Sequence, residues 1–246
     1  MKKIFFALLL TISSLFATDL TIGAGPYVQT QPYKGADPII VPSPVIFYDN
    51  GVIYARWTRF GVYFLGKKQK EYSWGFSLTV QPRPNGYSPD DSSYLEGLDE
   101  KKSSFEGGLA FTLYGGGKYI EIMVMNDLLN RYNSYIAKVE TGFKYQLGNF
   151  TFYPNIVVVY ESKQFTQYYY GISSSESTRT SYDIYQPSGG VRVAAQTYIN
   201  YPFYDSWELF MNLRADKLSS KAKDSPIVED SYSYSGIIAL MYRFKI

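Results

Sequence analysis

Residues 232–246 read YSYSGIIALMYRFKI, and this stretch decides the fold. Its even positions are Tyr232, Tyr234, Gly236, Ile238, Leu240, Tyr242, Phe244 and Ile246; its odd positions are Ser233, Ser235, Ile237, Ala239, Met241, Arg243 and Lys245. One side is apolar with aromatic rings towards both ends, and the other is mixed and charged. A period of two is a strand, because successive side chains leave a pleated backbone on opposite faces. The segment is also long enough to cross a bilayer at a tilt. Ile238 and Leu240 are therefore expected to face lipid near mid-strand, and Met241 to face the lumen, where arginine should be better tolerated than at the other two if the lumen has room.

The same alternation recurs upstream. Phe105, Leu109, Phe111 and Leu113 oppose Glu106 and Thr112. Val139, Thr141, Phe143 and Tyr145 oppose Lys138, Glu140 and Lys144. Phe152, Ile156, Val158 and Tyr160 oppose Asn155 and Glu161, while Trp207, Leu209, Met211 and Leu213 oppose Glu208, Asn212 and Arg214. The pattern predicts twelve strands, at 19–30, 38–48, 51–58, 60–65, 71–82, 104–114, 118–128, 134–147, 150–163, 186–199, 205–217 and 232–246. An even number returns both termini to one side. The connections then sort by length: short turns at 49–51, 66–70, 115–117, 148–149 and 200–204, and the longer ones at 31–37, 83–103, 164–185 and 218–231 on the other side, with a two-residue link at 59–60. Short periplasmic turns and longer extracellular loops are the habit of bacterial outer-membrane barrels. The fold class expected is all-β, a closed antiparallel transmembrane β-barrel.

The beginning of the chain agrees. MKKIFFALLLTISSLFA has two lysines, an apolar run and a small-residue end at Ala17, the pattern of a secretory leader and too short to span a bilayer. Residues 1–17 are expected to be that leader and 18–246 one barrel domain in the outer membrane of a Gram-negative bacterium. Lys2 and Lys3 leave with the leader, so basic and acidic side chains balance in the remainder. There is no basic face for nucleic acid. The 26 tyrosines, 16 phenylalanines and 3 tryptophans suit interfacial girdles.

The chain has no cysteine and no histidine, which removes thiolate or imidazole metal sites and Ser-His-Asp chemistry. Catalytic, metal-binding and cofactor-binding residues are all expected to be none. The carboxylates Asp90, Asp91, Asp99, Glu100, Asp216 and Asp224 read as solvated loop charges, and no loop has the spacing of a calcium motif. Gly115-Gly116-Gly117 lacks the spacing of a phosphate loop and reads as a turn. Glu106, Glu121, Glu140, Glu161, Arg192, Glu208, Arg214 and Arg243 fall on the polar register and are expected to face the lumen, since each costs a few kcal/mol against lipid. With both signs present, they suit a bridged, closed interior as well as a pore.

Residues 23–51, GAGPYVQTQPYKGADPIIVPSPVIFYDNG, resemble the opening of the MltA-interacting protein / OmpV family of outer-membrane proteins. Gly23, Gly25, Pro32, Tyr33, Gly35, Pro44 and Tyr48 carry the likeness. It continues in Tyr169-Tyr170-Gly171-Ile172, in Leu218 with Asp224-Ser225-Pro226-Ile227-Val228, and in Tyr242-Arg243-Phe244, here extended by Lys245-Ile246. Gly23, Gly25, Pro32, Tyr33, Gly35, Tyr170, Gly171, Asp224, Ser225 and Pro226 are expected to be structural residues of the outer mouth, with the 31–37, 169–172 and 224–228 segments packing as a partial lid. The resemblance implies a barrel without catalysis or cofactor, set in outer-membrane lipid and lipopolysaccharide. It further implies a scaffold role that gathers a murein hydrolase and a murein synthase. A small diffusion channel and a surface adhesin are the alternatives.

Overall fold

The computed structural model describes residues 19–69, 71–84 and 86–244. The expected leader and the last two positions of the final strand lie outside them. Thirteen strand segments follow in chain order: β1 (Leu20–Gln29), β2 (Ile39–Asp49), β3 (Ile53–Arg56), β4 (Arg59–Lys68), β5 (Tyr72–Arg83), β6 (Ser104–Gly115), β7 (Lys118–Asp127), β8 (Tyr135–Phe143), β9 (Tyr145–Leu147), β10 (Phe150–Glu161), β11 (Gly190–Tyr204), β12 (Trp207–Lys217) and β13 (Tyr232–Phe244). β8 and β9 are one stave interrupted at Lys144, since both pair with β10. Each stave pairs antiparallel with the next, and β1 pairs with β13 from Leu20↔Phe244 to Gln29↔Ser235. The described residues therefore form a closed twelve-stave antiparallel barrel, as the alternation predicts.

The two faces divide as the register requires. On β13, Ile238 and Leu240 are exposed while Ile237, Ala239 and Met241 are buried. On β10, Ile156, Val158 and Tyr160 are exposed, and Asn155, Val157, Val159 and Glu161 are buried. In a water-soluble protein this exposed apolar belt would be an error; around a barrel it is the lipid-facing surface. The lumen side of β13 fails the condition under which a larger side chain at Met241 would be tolerated. Met241 has no room beside it, because it packs with Val45, Phe210, Ile237 and Ala239 in a small apolar cluster.

Three boundaries moved. β11 runs to Tyr204, five residues past the expected end, with Pro202 inside it at a register shift against β12. The link expected at 59–60 lies two residues earlier, at Trp57-Thr58, closing the short β3–β4 hairpin through Arg56↔Arg59. The 164–185 connection holds two helices, α1 (Lys163–Tyr170) and α2 (Ser174–Arg179), and 218–231 holds α3 (Ser220–Lys223). Ser162, Ser173 and Ser219 cap their N-termini, each hydroxyl accepting a backbone N–H.

The turns at the end that carries the termini are short, and Gly116 and Gly117 adopt φ of 56° and 76°, which a side chain would strain. An epitope inserted after Asn130, in the exposed 128–130 turn, is expected to be labelled on intact cells. The same insert after Gly116 is expected to be labelled only after the outer membrane is permeabilised. Reversed labelling overturns this orientation.

Candidate functional site: the lumen and its lid

The long loops fold over one mouth of the barrel and share a core. Tyr33, Tyr87, Leu95, Leu98, Tyr169, Tyr170, Ile172, Ile227 and Val228 are all buried there. Tyr33 sits at the centre, stacked edge-on against Tyr87 at 4.7 Å and near Tyr170 at 6.0 Å, its hydroxyl donating to Tyr169 O at 3.3 Å. Hydrogen bonds lace the segments: Lys34 N–H donates to Ile227 O at 3.0 Å, Glu229 N–H to Pro32 O at 2.9 Å, and the Ser225 hydroxyl to Tyr170 O at 2.7 Å. The three segments expected to meet as a lid are thus brought together. Burial of the Tyr33 phenol raises its pKa well above the ordinary tyrosine value, reinforced by neighbouring Tyr170, Tyr87 and Tyr169.

Among the residues grouped at that mouth, Gly23 and Gly25 lie elsewhere. They are within β1, in the wall itself. A Cβ at Gly23 would stand 2.0 Å from Leu240 O, and one at Gly25 would stand 1.8 Å from Ile238 O. Their smallness lets β1 lie against β13 where the barrel closes. Gly35 takes φ 65° in the lid, and Gly171 ends α1 with its N–H on Gln167 O. Asp224 ends α3, and Pro226 follows it next to Ser225.

A second clamp ties α2 to the 83–103 loop. Glu176 accepts from the Asp99 N–H at 3.1 Å, from Lys101 Nζ at 2.9 Å and from Ser173 N–H at 2.8 Å. Partial burial alone would raise this carboxyl; the Ser173 backbone, Lys101, the Ser173 hydroxyl and the Asp99 backbone outweigh it and hold it at about 2. A depressed folded value means the clamp is complete above the ordinary glutamate pKa of about 4.3 and is lost as pH falls towards 2. Glu176→Gln is expected to make cleavage within 94–102 and 173–185 several-fold faster at pH 7. It should also flatten the rise in cleavage that the unaltered protein shows between pH 4 and 2. Protease mapping across pH measures both.

Beneath the lid the predicted lumen charges are paired. Glu106 is wholly buried and takes two bonds from Arg83, at 2.7 and 2.8 Å, one from Gln81 at 3.0 Å and one from the Tyr132 hydroxyl at 2.9 Å. Arg214 grips Asp216 through two bonds of 2.6 and 2.7 Å. Asp216 is buried and is not a solvated loop charge: its place on the polar register of β12 carries it inward with Arg214 before the loop begins. Arg192 stands 3.0 Å from Glu161 as an ion pair without hydrogen-bond geometry, so both Glu161 oxygens and Arg192 Nε lack a hydrogen-bond partner. Lower down, Glu121 meets Arg56 at 3.2 Å and Arg59 at 2.5 Å, and Glu140 meets Lys138 at 2.8 Å. Glu208 meets Arg243 at 2.5 Å near the termini.

Arg56, Arg59 and Arg83 were not singled out in the sequence. Carrying the period of two a little beyond each strand edge places Arg59 on the face of Tyr63 and Arg83 on that of Gln81, so the signal was present. Asp90 and Asp91 belong to a single 3-10 turn capped by Ser88, and Asp99 pairs with Arg179 at the surface. Among the described residues no group of acidic side chains is placed to hold a metal ion.

The space left is a cavity of about 1400 Å³. One wall is aromatic, with Tyr27, Phe47, Trp57, Tyr198 and Phe210 in edge and stacked contacts of 5.1 to 6.1 Å. The rest of the lining carries the Arg56–Glu121–Arg59 and Lys138–Glu140 pairs, Arg56 standing directly beside Phe47. The cavity runs from the terminal end at Asp19, Asp49 and Lys67 up to Arg83, Arg192 and Asp216, and a separate space of about 30 Å³ lies under the lid around Tyr33, Tyr170 and Arg192. The arrangement can hold a guest with apolar and polar parts, and it presents no single sign of charge to select an ion.

Known proteins agree on the setting. The putative outer membrane protein YiaT of Escherichia coli K12 is 26% identical over 235 residues, covering 95% of this chain and 94% of the relative. The MltA-interacting protein of the same strain is 28% identical over 229 residues, covering 91% and 90%. OmpV of Vibrio cholerae is 24% identical over 158 residues, covering 64% and 61%. Among solved structures, an outer membrane channel from Pseudomonas putida F1 aligns with 94% of this chain and 96% of its own at 11% identity and a TM-score of 0.46. The protein resides in the outer membrane of a Gram-negative bacterium. The pattern described as MltA-interacting protein MipA runs from residue 22 to residue 244, nearly the full length of the barrel, and the chain belongs to that family.

Proposed function

We propose that this barrel is a non-enzymatic organiser of murein-remodelling enzymes, capped against the exterior and open towards the periplasm. The lid is the observation that carries the reading. A pore built for exchange keeps its outer mouth clear, whereas here a buried aromatic core and cross-loop hydrogen bonds cover it. The name of the E. coli relative, MltA-interacting protein, supplies the partner class. Contacts with a periplasmic murein hydrolase or synthase then fall on the short turns and the terminal rim, because the family motifs of the lid face outward. The reading favours no adhesin, since the 83–103 and 164–185 loops are engaged with each other rather than projecting.

Diffusion through the barrel is the second reading, and the cavity of about 1400 Å³ favours it. Planar-bilayer recording paired with capture of a purified murein-degrading lytic enzyme separates them. The expected result is retained capture with no stable conductance steps. Steady steps without capture overturn the organiser reading in favour of the channel.

A further inference from the structure

The barrel wall is incomplete in its outer half. β3 is four residues long, and its ladder with β2 covers only Phe47 to Asp49. The last bond between the two is Trp57 N–H to Ile46 O at 2.8 Å. Above it, residues 39–45 of β2 pair with β1 on one side and have no ladder on the other. The far flank is β5, which rises only from Gln81 to Arg83 above the hairpin tip, because Phe60 of β4 pairs with Val80. Seven residues without a ladder partner leave a notch roughly 20 Å along the strand, at about 3.3 Å per residue.

The edge of this notch is chemically particular. In a strand the N–H and C=O of one residue point the same way. Ile46 O points at the hairpin, so Ile40, Pro42 and Pro44 direct their backbone into the notch. Two of those three are prolines, so two donors that an added strand would need are missing. A peptide edge is therefore a poor occupant. Pro44 O accepts from Ser43 Oγ at 3.3 Å; the Ile40 and Pro42 carbonyls remain, lipid cannot satisfy them, and exposed backbone at this depth is tolerated where water reaches it from a cavity. The cavity does reach it: its lining includes Pro42 and Pro44 on one flank and Pro82 and Pro84 on the other. From outside, Ile40 (69% exposed) stands beside Val28 in the outer part of the apolar belt, while Val41 turns inward beside Tyr27 and lines the cavity.

Trp57 forms the sill. It holds φ at 59°, a left-handed conformation that an aromatic residue adopts only under constraint. The indole turns into the lumen, donates from Nε1 to Ser43 Oγ at 3.2 Å and meets Tyr27 and Phe210 edge-on. The strain thus places an aromatic step between the notch and the aromatic wall of the cavity.

From these features we infer that the notch is a lateral portal through which the alkyl chain of a single-chain membrane amphiphile passes between the outer leaflet and the lumen. Its rim is wetted from within and bathed by acyl chains from without, which suits a molecule with both characters. Behind the sill the aromatic wall takes the chain, and the paired arginines and carboxylates that share the lining take a polar head. This assignment is independent of the organiser reading, because it concerns the outer half of the wall.

The test uses the three tryptophans, Trp57, Trp74 and Trp207. The full-length barrel in phosphatidylcholine vesicles, with Trp74→Phe and Trp207→Phe, leaves Trp57 as sole emitter; a second protein retains only lipid-facing Trp207. The probe is a monoacyl phosphocholine brominated at mid-chain. The expected result is at least a twofold loss of Trp57 emission, relieved by Pro44→Phe at the rim, with heat-modifiable migration confirming the fold. Unchanged Trp57 emission alongside quenched Trp207 overturns the portal. If Pro44→Phe does not fold, Ser43→Cys, in a chain with no native cysteine, provides the second measurement. Its thiol should react with a maleimide carried on an alkyl chain in the vesicle bilayer, and an unmodified thiol overturns the portal.

Discussion

Leu240→Arg is expected to abolish recovery of heat-modifiable barrel in the outer membrane, and Ile238→Arg to do the same. Both side chains are exposed on the lipid face in the middle of β13. Arginine at the bilayer midplane costs about 2–4 kcal/mol in such barrels, a large share of a folded domain's margin. Met241→Arg is expected to fail as well, for a different reason. Met241 is wholly buried against Val45, Phe210 and Ile237, so the larger side chain overpacks the lumen cluster. Urea titration of refolded protein in vesicles distinguishes them. Met241→Leu should restore near-native stability because the site needs apolar volume, whereas Leu240→Gln should fall between wild type and the arginine variant. Wild-type stability of Leu240→Arg overturns the register of the closing strand.

The second large effect concerns the buried pair under the lid. Arg83→Met is expected to cost about 3–5 kcal/mol, the usual consequence of leaving one buried charge alone. Glu106 would retain Gln81 and the Tyr132 hydroxyl, which share its negative charge without cancelling it. Replacing both members, Arg83→Met with Glu106→Leu, is expected to recover most of the loss, since the desolvation cost then disappears from both sides. The urea midpoints of the two single variants and the double variant give the coupling directly. If Arg83→Met alone is neutral, the pair is hydrated, and the lid does not seal the lumen below it.

The staves were legible because a lipid-facing barrel imposes a strict period of two on nearly every strand. Residues such as Ile156, Val158 and Tyr160 show it without any help from tertiary context. Pro202 hid the end of β11: read locally, Tyr201-Pro202 is a turn, but the strand tolerates it at a register shift. The lid helices were illegible from periodicity, since eight residues of α1 and six of α2 are too short to establish one. Ser173 and Glu176, however, spell a capping box in the sequence, and that signal was there to be used. The meeting of Tyr33 with Tyr170 and Val228 followed from counting connections to one side of the barrel. The notch did not follow from anything local. It depends on β3 stopping after four residues, and only the pairing of β2 with its two neighbours reveals that.

The glycine seam between β1 and β13 has a consequence for how the chain becomes a barrel. Every other ladder joins staves that are consecutive in the chain, so each can zip from its own hairpin with little loop entropy to overcome. The pairing of Leu20 with Phe244 is different, because it spans almost the whole polypeptide. The cost of bringing distant segments together is concentrated in that single ladder, and a curled sheet with two free edges is the state that precedes it. Those edges carry backbone groups that hydrocarbon cannot satisfy, so the sheet cannot rest there. Gly23 and Gly25 remove the side chains that would hold the edges apart at the moment of contact. A bulky residue at either position would act chiefly on the rate of this final step, and an assembling population would accumulate as open, protease-sensitive sheet.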